Sequence, residues 1–359
     1  ACIFYLGGGT PVQQAAGFED SAENMYRFLM TSTLAPDPQI VKRFCDDSLA
    51  HFHWLEAQGV PFERSYYEDK TVIPPGNYCL CSTGNEHGWP YREVATPVPR
   101  GHKVAGGDLE AGSVAMKHLI ERCEQLNVRT RFDHRVISLV KDSADNIVGV
   151  SAVSFGEQMY IRARGGVIIS AGGFSFNPDM VANYAPQLPS SAVALGIPNN
   201  DGDAIGLGIS AGAALSAMNG VIATASFYPP GKLIKGIVVN RSGRRFVNED
   251  AYHGRTADFL MGQADASAFL ILDAETFEYS ENPELNNNLI DGWETIEDME
   301  AALKLPAGSL VDTLNEYNRF ASDGEDPLFH KNNKWVQPLD KPPYAAFDIS
   351  YDKLSYMFL

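Results

Sequence analysis

Long apolar runs are the first thing this sequence lacks. None approaches the roughly 20 residues that a helix needs to span a bilayer, so no helical membrane anchor is expected. Cysteine is scarce: Cys2, Cys45, Cys79, Cys81 and Cys123 are five among 359 residues. An odd, sparse set makes no disulfide framework and points to reduced thiols in a cytoplasmic protein. Cys79-Leu-Cys81 is the close pair, with His87 and His102 nearby. That spacing matches no common zinc pattern, so no metal is expected. Positive charge is short as well. Lys and Arg number 28 against 45 Asp and Glu, for a net charge of −17 and a pI near 4.8. An acidic surface disfavours nucleic acid and anionic membranes as partners. Repeats, low-complexity tracts and a secretory signal are missing too. The chain starts at Ala1 rather than Met, which is compatible with a segment before it.

What is present suits a soluble globular chain of two domains, with 45% hydrophobic and 20% charged residues. Residues 1–9, ACIFYLGGG, read as a strand running into a turn. Gly7, Gly8 and Gly9 there allow positive φ and close backbone approach to a ligand. Ser21, with Asn24 three residues on, caps a helix through Leu29. A second helix runs from Asp37 to about Gln58, with Phe44, Leu49, Phe52 and Leu55 as its apolar face. Glu68 to His102 has no clear period and reads as a long irregular excursion. Trp89 and Tyr91 within it, together with Phe62, are either core or the lining of a flat apolar pocket. A helix from Gly112 to about Leu126 follows, with Leu119, Ile120, Cys123 and Leu126 as its buried stripe. Short strands come next at Val128–Phe132, Arg135–Lys141, Ile147–Phe155 and Met159–Ala163, with a hairpin turn at Asp142–Asn146. Val167–Ile169 is a continuous apolar strand, as expected when both faces are buried. It ends in Ala171-Gly172-Gly173. Asp201 and Asp203 stand where a helix begins, and a cap there also suits an anion. Later elements are a strand at Phe269–Asp273, a polar loop at Glu281–Asn288, and helices at Ile296–Leu303 and Ser309–Phe320. Leu310, Leu314 and Tyr317 share one face of the last.

The densest chemistry lies at Asn240–Arg255, NRSGRRFVNEDAYHGR. Gly243 supplies a tight reversal. Arg, Asn and Glu follow, then Tyr252, His253 and Arg255 within four positions, all able to donate a proton or stabilise an anion. The bland alternative is an exposed charged hairpin and its exit.

This stretch also resembles the Gly-(Lys/Arg)-Arg-Phe-Val-(Asn/Asp)-Glu segment of the fumarate reductase and succinate dehydrogenase flavoprotein family. Its form Asn-Glu-Asp-Ala-Tyr252 is similar to the 3-ketosteroid dehydrogenase branch. The segments Thr10–Met25 and Cys81–Tyr91, with Pro97–His102, resemble the Δ4-(5α) type. Fumarate reductases carry an Arg where His253 stands, which argues against a dicarboxylate substrate. The resemblance implies an α/β fold: a two-dinucleotide-binding-type FAD domain with an inserted smaller α+β cap domain. Residues 1–221 would be the FAD-binding domain, 222–347 the cap, and 348–359 the return. FAD is the implied cofactor, near Gly7, Gly8, Gly9, Thr10, Val136, Ala171, Gly172, Gly173 and Asp203. Val136 stands where the family touches adenine through a backbone amide. The implied substrate is small and apolar, a 3-ketosteroid, with an unspecified electron acceptor. The chemistry removes two hydrogens from neighbouring ring carbons beside a ketone. Tyr252 is the candidate for proton transfer, with His253 and Arg255 as helpers. The alternatives are another carbon–carbon double-bond oxidoreductase of the same family, and an inactive fragment. Two parts of the family pattern are missing: a Gly-x-Gly-x-x-Gly after an N-terminal strand, with its later acidic residue, and a glycine-rich final segment. Both absences read as an internal fragment of a longer enzyme.

Overall fold

The computed structural model describes residues 3–33, 35–71, 73–82, 84–108, 110–188, 192–224, 231–263, 266–279, 288–350 and 355–358. It mixes helix and strand, and the chain divides into two compact units. The first comprises residues 1–127 and 225–351; the second comprises residues 128–224 and 352–359.

The first unit holds two four-stranded sheets. In one, Ile3–Tyr5 pairs antiparallel with Gly101–Lys103, which in turn pairs with Leu80–Cys81. Helix Pro38–Ala57 packs its buried side against this region, and Leu6, Phe52, Leu55, Phe62 and Leu80 share one core. The expected Ser21 cap forms, its side chain accepting from Asn24 N, and Asp37 also caps its helix, accepting from Gln39 and Ile40 N. The second sheet is antiparallel throughout, ordered Ile237–Asn240, Ala268–Leu272, Tyr344–Asp348, Leu289–Trp293. Every residue of Ala268–Leu272 is buried, so this strand is covered on both faces. Helices Ile296–Ala302 and Ser309–Ala321 supply Met299, Leu310, Leu314 and Tyr317 to its core.

The second unit contains a three-stranded meander, Arg135–Lys141, Ile147–Ser154 and Glu157–Arg162. Asp142 closes its first hairpin by accepting from the N–H groups of Ala144 and Asn146. A smaller sheet joins Val193–Ala194, Ser355–Phe358 and Val221–Thr224. Helices Pro178–Tyr184 and Asp203–Ser210 complete the unit.

Several expectations are corrected here. Residues 167–169 do not form a buried strand: Ile168 is 93% exposed, and no described strand pairs with them. An apolar run becomes a strand only where a neighbour takes its N–H and C=O groups. Residues 128–132 are irregular as well. On helix Ala111–Gln125 the buried residues are Ala111 and Ala115, while Ile120 and Leu126 are exposed. Phe44 is exposed, and Cys45 and Ser48 take its place on the buried face. The helix expected from Ser309 forms over Ser309–Ala321, with Gly308, φ 79°, at its cap position. Most of the polar loop expected at 281–288, and the Pro-Pro break at 226–231, lie outside the described residues.

Candidate functional site

The candidate residues fall in three places, and each place is built from local structure. The first is the glycine turn. Gly8 and Gly9 have φ of 82° and 87°, which favours glycine there. Thr10 then caps helix Pro11–Ala15 in a reciprocal pair with Gln13. The turn's amides are taken by the chain itself. Gly7 N donates to Ser48 Oγ at 2.8 Å, Gly8 N to Asp20 Oδ2 at 3.1 Å, and Gly9 N to Gln13 Oε1 at 3.1 Å. Asp20 is fully buried in an ion pair with Arg100, which holds its carboxyl below the usual range despite burial. A Cβ on Gly7 would meet Asp20 at 2.7 Å, so the close approach here is to the protein's own carboxylate. His102 Nδ1 donates to Arg100 O at 3.0 Å, leaving Nε2 to accept from the Thr10 hydroxyl at 2.7 Å. Burial pushes the His102 pKa down to about 4, in keeping with that neutral ring.

The second place is the stretch after Gly243. Gly243 has φ 69°, and a Cβ there would stand 2.2 Å from Ser309 Oγ. Thr313 Oγ1 donates to its carbonyl at 2.6 Å, fixing the turn to helix Ser309–Ala321. Arg245 and Glu249, which by sequence suit either a site or a charged surface, are buried together. Arg245 donates twice to Glu249, at 3.0 and 2.7 Å, and twice to Asp326, at 2.9 and 2.8 Å. Lys331 lies 3.2 Å from Glu249, and its ammonium donates to Gly236 O at 2.6 Å. Two cations and two carboxylates balance, and the paired charges hold Glu249 ionised against desolvation. This cluster anchors the segment from which Tyr252, His253 and Arg255 follow.

Tyr252 immediately precedes helix His253–Met261 and is half-buried. Its N–H donates to Asn85 Oδ1 at 2.7 Å, and its ring packs on Gly84. His253 lies against it, with ring centroids 3.9 Å apart. Burial, aided by the charge of Lys70, pushes the His253 pKa down to about 3, so the ring is neutral at neutral pH. Arg255 donates to the Tyr91 hydroxyl and lies over the rings of Tyr91 and Phe259. The three candidates are therefore neighbours, but they do not form one triad. Lys70 was not legible in the sequence as part of this place, since it stands 180 residues away. The flat pocket of Phe62, Trp89 and Tyr91 is not formed. Phe62 belongs to the first core, Tyr91 packs on Phe28, and Trp89 stacks on His330. Cys79 and Cys81 are buried thiols, Cys81 pushed up to about 12 by desolvation. Among the described residues no group of His, Cys, Asp or Glu could hold a metal ion.

The third place is in the second unit. A cavity of 1010 Å³ is lined by Val136, Arg135, Met180, Tyr184, Gly202 and Asp203 among others. Two sequence candidates, Val136 and Asp203, thus share one cavity. Ala171-Gly172-Gly173 adjoins it through Gly202 N, which donates to Gly173 O at 3.0 Å. Gly202 has φ 83°, and a Cβ would meet Met180 Sδ at 2.3 Å, so glycine is required where the helix Asp203–Ser210 starts. Asp203 pairs with Arg135 at the surface.

Comparison with known proteins decides what this assembly is. A family model described as FAD binding domain matches residues 7–358. The chain belongs to the FAD-binding flavoproteins of the fumarate reductase and 3-ketosteroid dehydrogenase family. Its cofactor is FAD. The solved 3-ketosteroid-Δ4-(5α)-dehydrogenase from Rhodococcus jostii RHA1, in complex with 4-androstene-3,17-dione, is 35% identical, with a TM-score of 0.93 over 99% of this chain and 75% of that one. The 3-oxo-5-alpha-steroid 4-dehydrogenase of Comamonas testosteroni is 25% identical over 66% of this chain and 52% of its own length. The NADH:acrylate oxidoreductase of Vibrio harveyi is 25% identical over 86% of this chain and 30% of its own length. A fumarate reductase (cytochrome) of Shewanella frigidimarina is 24% identical over 95% of this chain and 57% of its own. The chain spans between about a third and about three fifths of these curated relatives.

The cavity of the second unit fits part of this cofactor. Its volume reaches the upper end of ordinary ligand pockets, roughly 300–1,000 Å³. Apolar walls at Val136, Met180 and Tyr184, with carboxylates at Asp179, Asp201 and Asp203, suit a base and the hydroxyls of a sugar. An added Cβ on Gly206 would touch nothing within 4 Å, so there is open room on that side. The Gly7–Thr10 turn offers a ligand no such amides, because they are bonded within the chain.

Proposed function

We propose that this chain acts in an FAD-dependent oxidoreductase of CH–CH groups, and that its substrate is a 3-ketosteroid dehydrogenated beside the ketone. The observation that carries the substrate class is the 35% identity and 0.93 TM-score to the Rhodococcus steroid dehydrogenase. When bound, FAD supplies the two-electron acceptor. Val136, Gly173, Gly202 and Asp203 would hold its nucleoside part. Residues 222–347 would form the cap. Their sheet and helices share one core, which supports reading them as a unit.

The chain's own contribution is proton transfer. A ketone acidifies the neighbouring carbon, and Tyr252, as its phenolate, would take that proton and become the neutral phenol. Asn85 fixes the peptide that carries Tyr252, and the Gly84 turn leaves its ring room against the backbone. A dicarboxylate substrate is the competing reading, and it needs cations here. His253, where a dicarboxylate would need a cation, is neutral, and that favours an apolar ketone. Tyr252→Phe in the flavin-loaded enzyme should lower turnover on the order of 10²-fold or more while flavin absorbance stays parental. Unchanged turnover would remove Tyr252 from the reaction.

A further inference from the structure

Tyr252 has extended backbone, with φ −63° and ψ 139°, so the peptide planes before it set where its ring points. The carbonyls of those planes, at Asp250 and Ala251, both accept from Lys70 Nζ, the second at 2.7 Å. The far side of the same peptide is held by Asn85 Oδ1. Residue 252 is thus gripped at both ends of one amide by two side chains remote in sequence. A neutral donor would hold two carbonyls equally well. Lys70 adds a positive charge one peptide from Tyr252, in a place where desolvation depresses its pKa to about 8. The groups facing that charge are Asp250 and Glu86, which favour it, and His253 and His87, both pushed down chiefly by burial and secondarily by nearby positive charge.

We infer that Lys70 is a positioning residue for the proton-transfer tyrosine, aiming Tyr252 through the two carbonyls before it and setting a cation beside the phenolate that accepts the proton. This rests on the role proposed for Tyr252. The test compares Lys70→Met, Lys70→Arg, Tyr252→Phe and the Lys70→Met/Tyr252→Phe pair in the flavin-loaded enzyme. Melting temperature and flavin absorbance are checked first. Then kcat and KM for a saturated 3-ketosteroid are measured from about pH 6 to about pH 10. Lys70→Met should lower kcat on the order of 10²-fold with little change in KM. It should also abolish a fall in kcat expected of the parent above about pH 8, where Lys70 loses its charge. Lys70→Arg should recover most turnover and move that fall to higher pH. Adding Lys70→Met to Tyr252→Phe should cost nothing further. Parental kcat and pH profile in Lys70→Met, or full additivity in the pair, would overturn the role of Lys70 while a collapsed Tyr252→Phe keeps the reading of Tyr252. Parental turnover in Tyr252→Phe would instead remove that reading, and the inference with it. Should Lys70→Met lose its flavin, Lys70→Arg decides: a displaced alkaline limb supports the role, and an unmoved limb overturns it.

Discussion

The two units handle buried polarity and exposed apolarity in opposite ways. The first encloses charge. Asp20 with Arg100, and Arg245 with Glu249, Asp326 and Lys331, are ion-paired side chains held away from solvent. The second leaves apolar side chains outside. Ile168 is 93% exposed, Phe155 91% and Phe132 80%, and the unit's ion pairs Arg135–Asp203 and Lys141–Asp145 lie at the surface. Burial makes a charge pair costly to break, while exposure makes an apolar side chain cheap to lose. The first unit should therefore carry the chain's sensitivity to substitution and acid, and the second should tolerate both.

Acid gives the largest expected effect. His102 and His253 have folded pKa values of about 4 and about 3 against an ordinary 6.5. Both are depressed, so their contribution to stability is complete above pH 6.5 and is lost as pH falls toward 4 and 3. Together they are worth up to roughly 8 kcal/mol. Hydrogen exchange along a pH series should show first-unit amides losing protection before those of the Arg135–Arg162 meander. The reverse order would break the comparison. His102→Gln should flatten part of the acid limb.

Arg245→Met is next. It strands Glu249 and Asp326 in the interior and should cost about 3–5 kcal/mol by chemical denaturation. A cost under about 1 kcal/mol would mean that the cluster behaves like a surface pair. Ile271→Ala, at a fully buried position between two paired strands, should cost about 2–5 kcal/mol. Ile168→Ala should change stability by less than about 0.5 kcal/mol. Similar costs for the two isoleucines would erase the distinction between the units.

Much of the local structure was legible because its determinants are close in sequence. The Ser21 cap, the meander with its Asp142 turn, and the Gly243 reversal depend on residues close in sequence. What could not be read depends on distant partners. Residues 167–169 have the composition of a buried strand, yet strand formation needs a neighbour that sequence does not name. Asp326 lies 81 residues from Arg245, so the motif's charges read as a site or a surface when they are a buried anchor. Within the candidate site, the adjacency of Tyr252, His253 and Arg255 was visible. The neutrality of His253 and the approach of Lys70 come from folding alone.

The central claim is that this flavoprotein takes two hydrogens from a 3-ketosteroid. Anaerobic visible absorbance of the flavin-loaded protein, before and after mixing with a saturated 3-ketosteroid, tests it most directly. Bleaching of the oxidised flavin band on mixing is the expected result. A band that the steroid leaves unchanged, while unsaturated acids reoxidise the chemically reduced protein, would contradict the claim and favour the fumarate-reductase-like alternative.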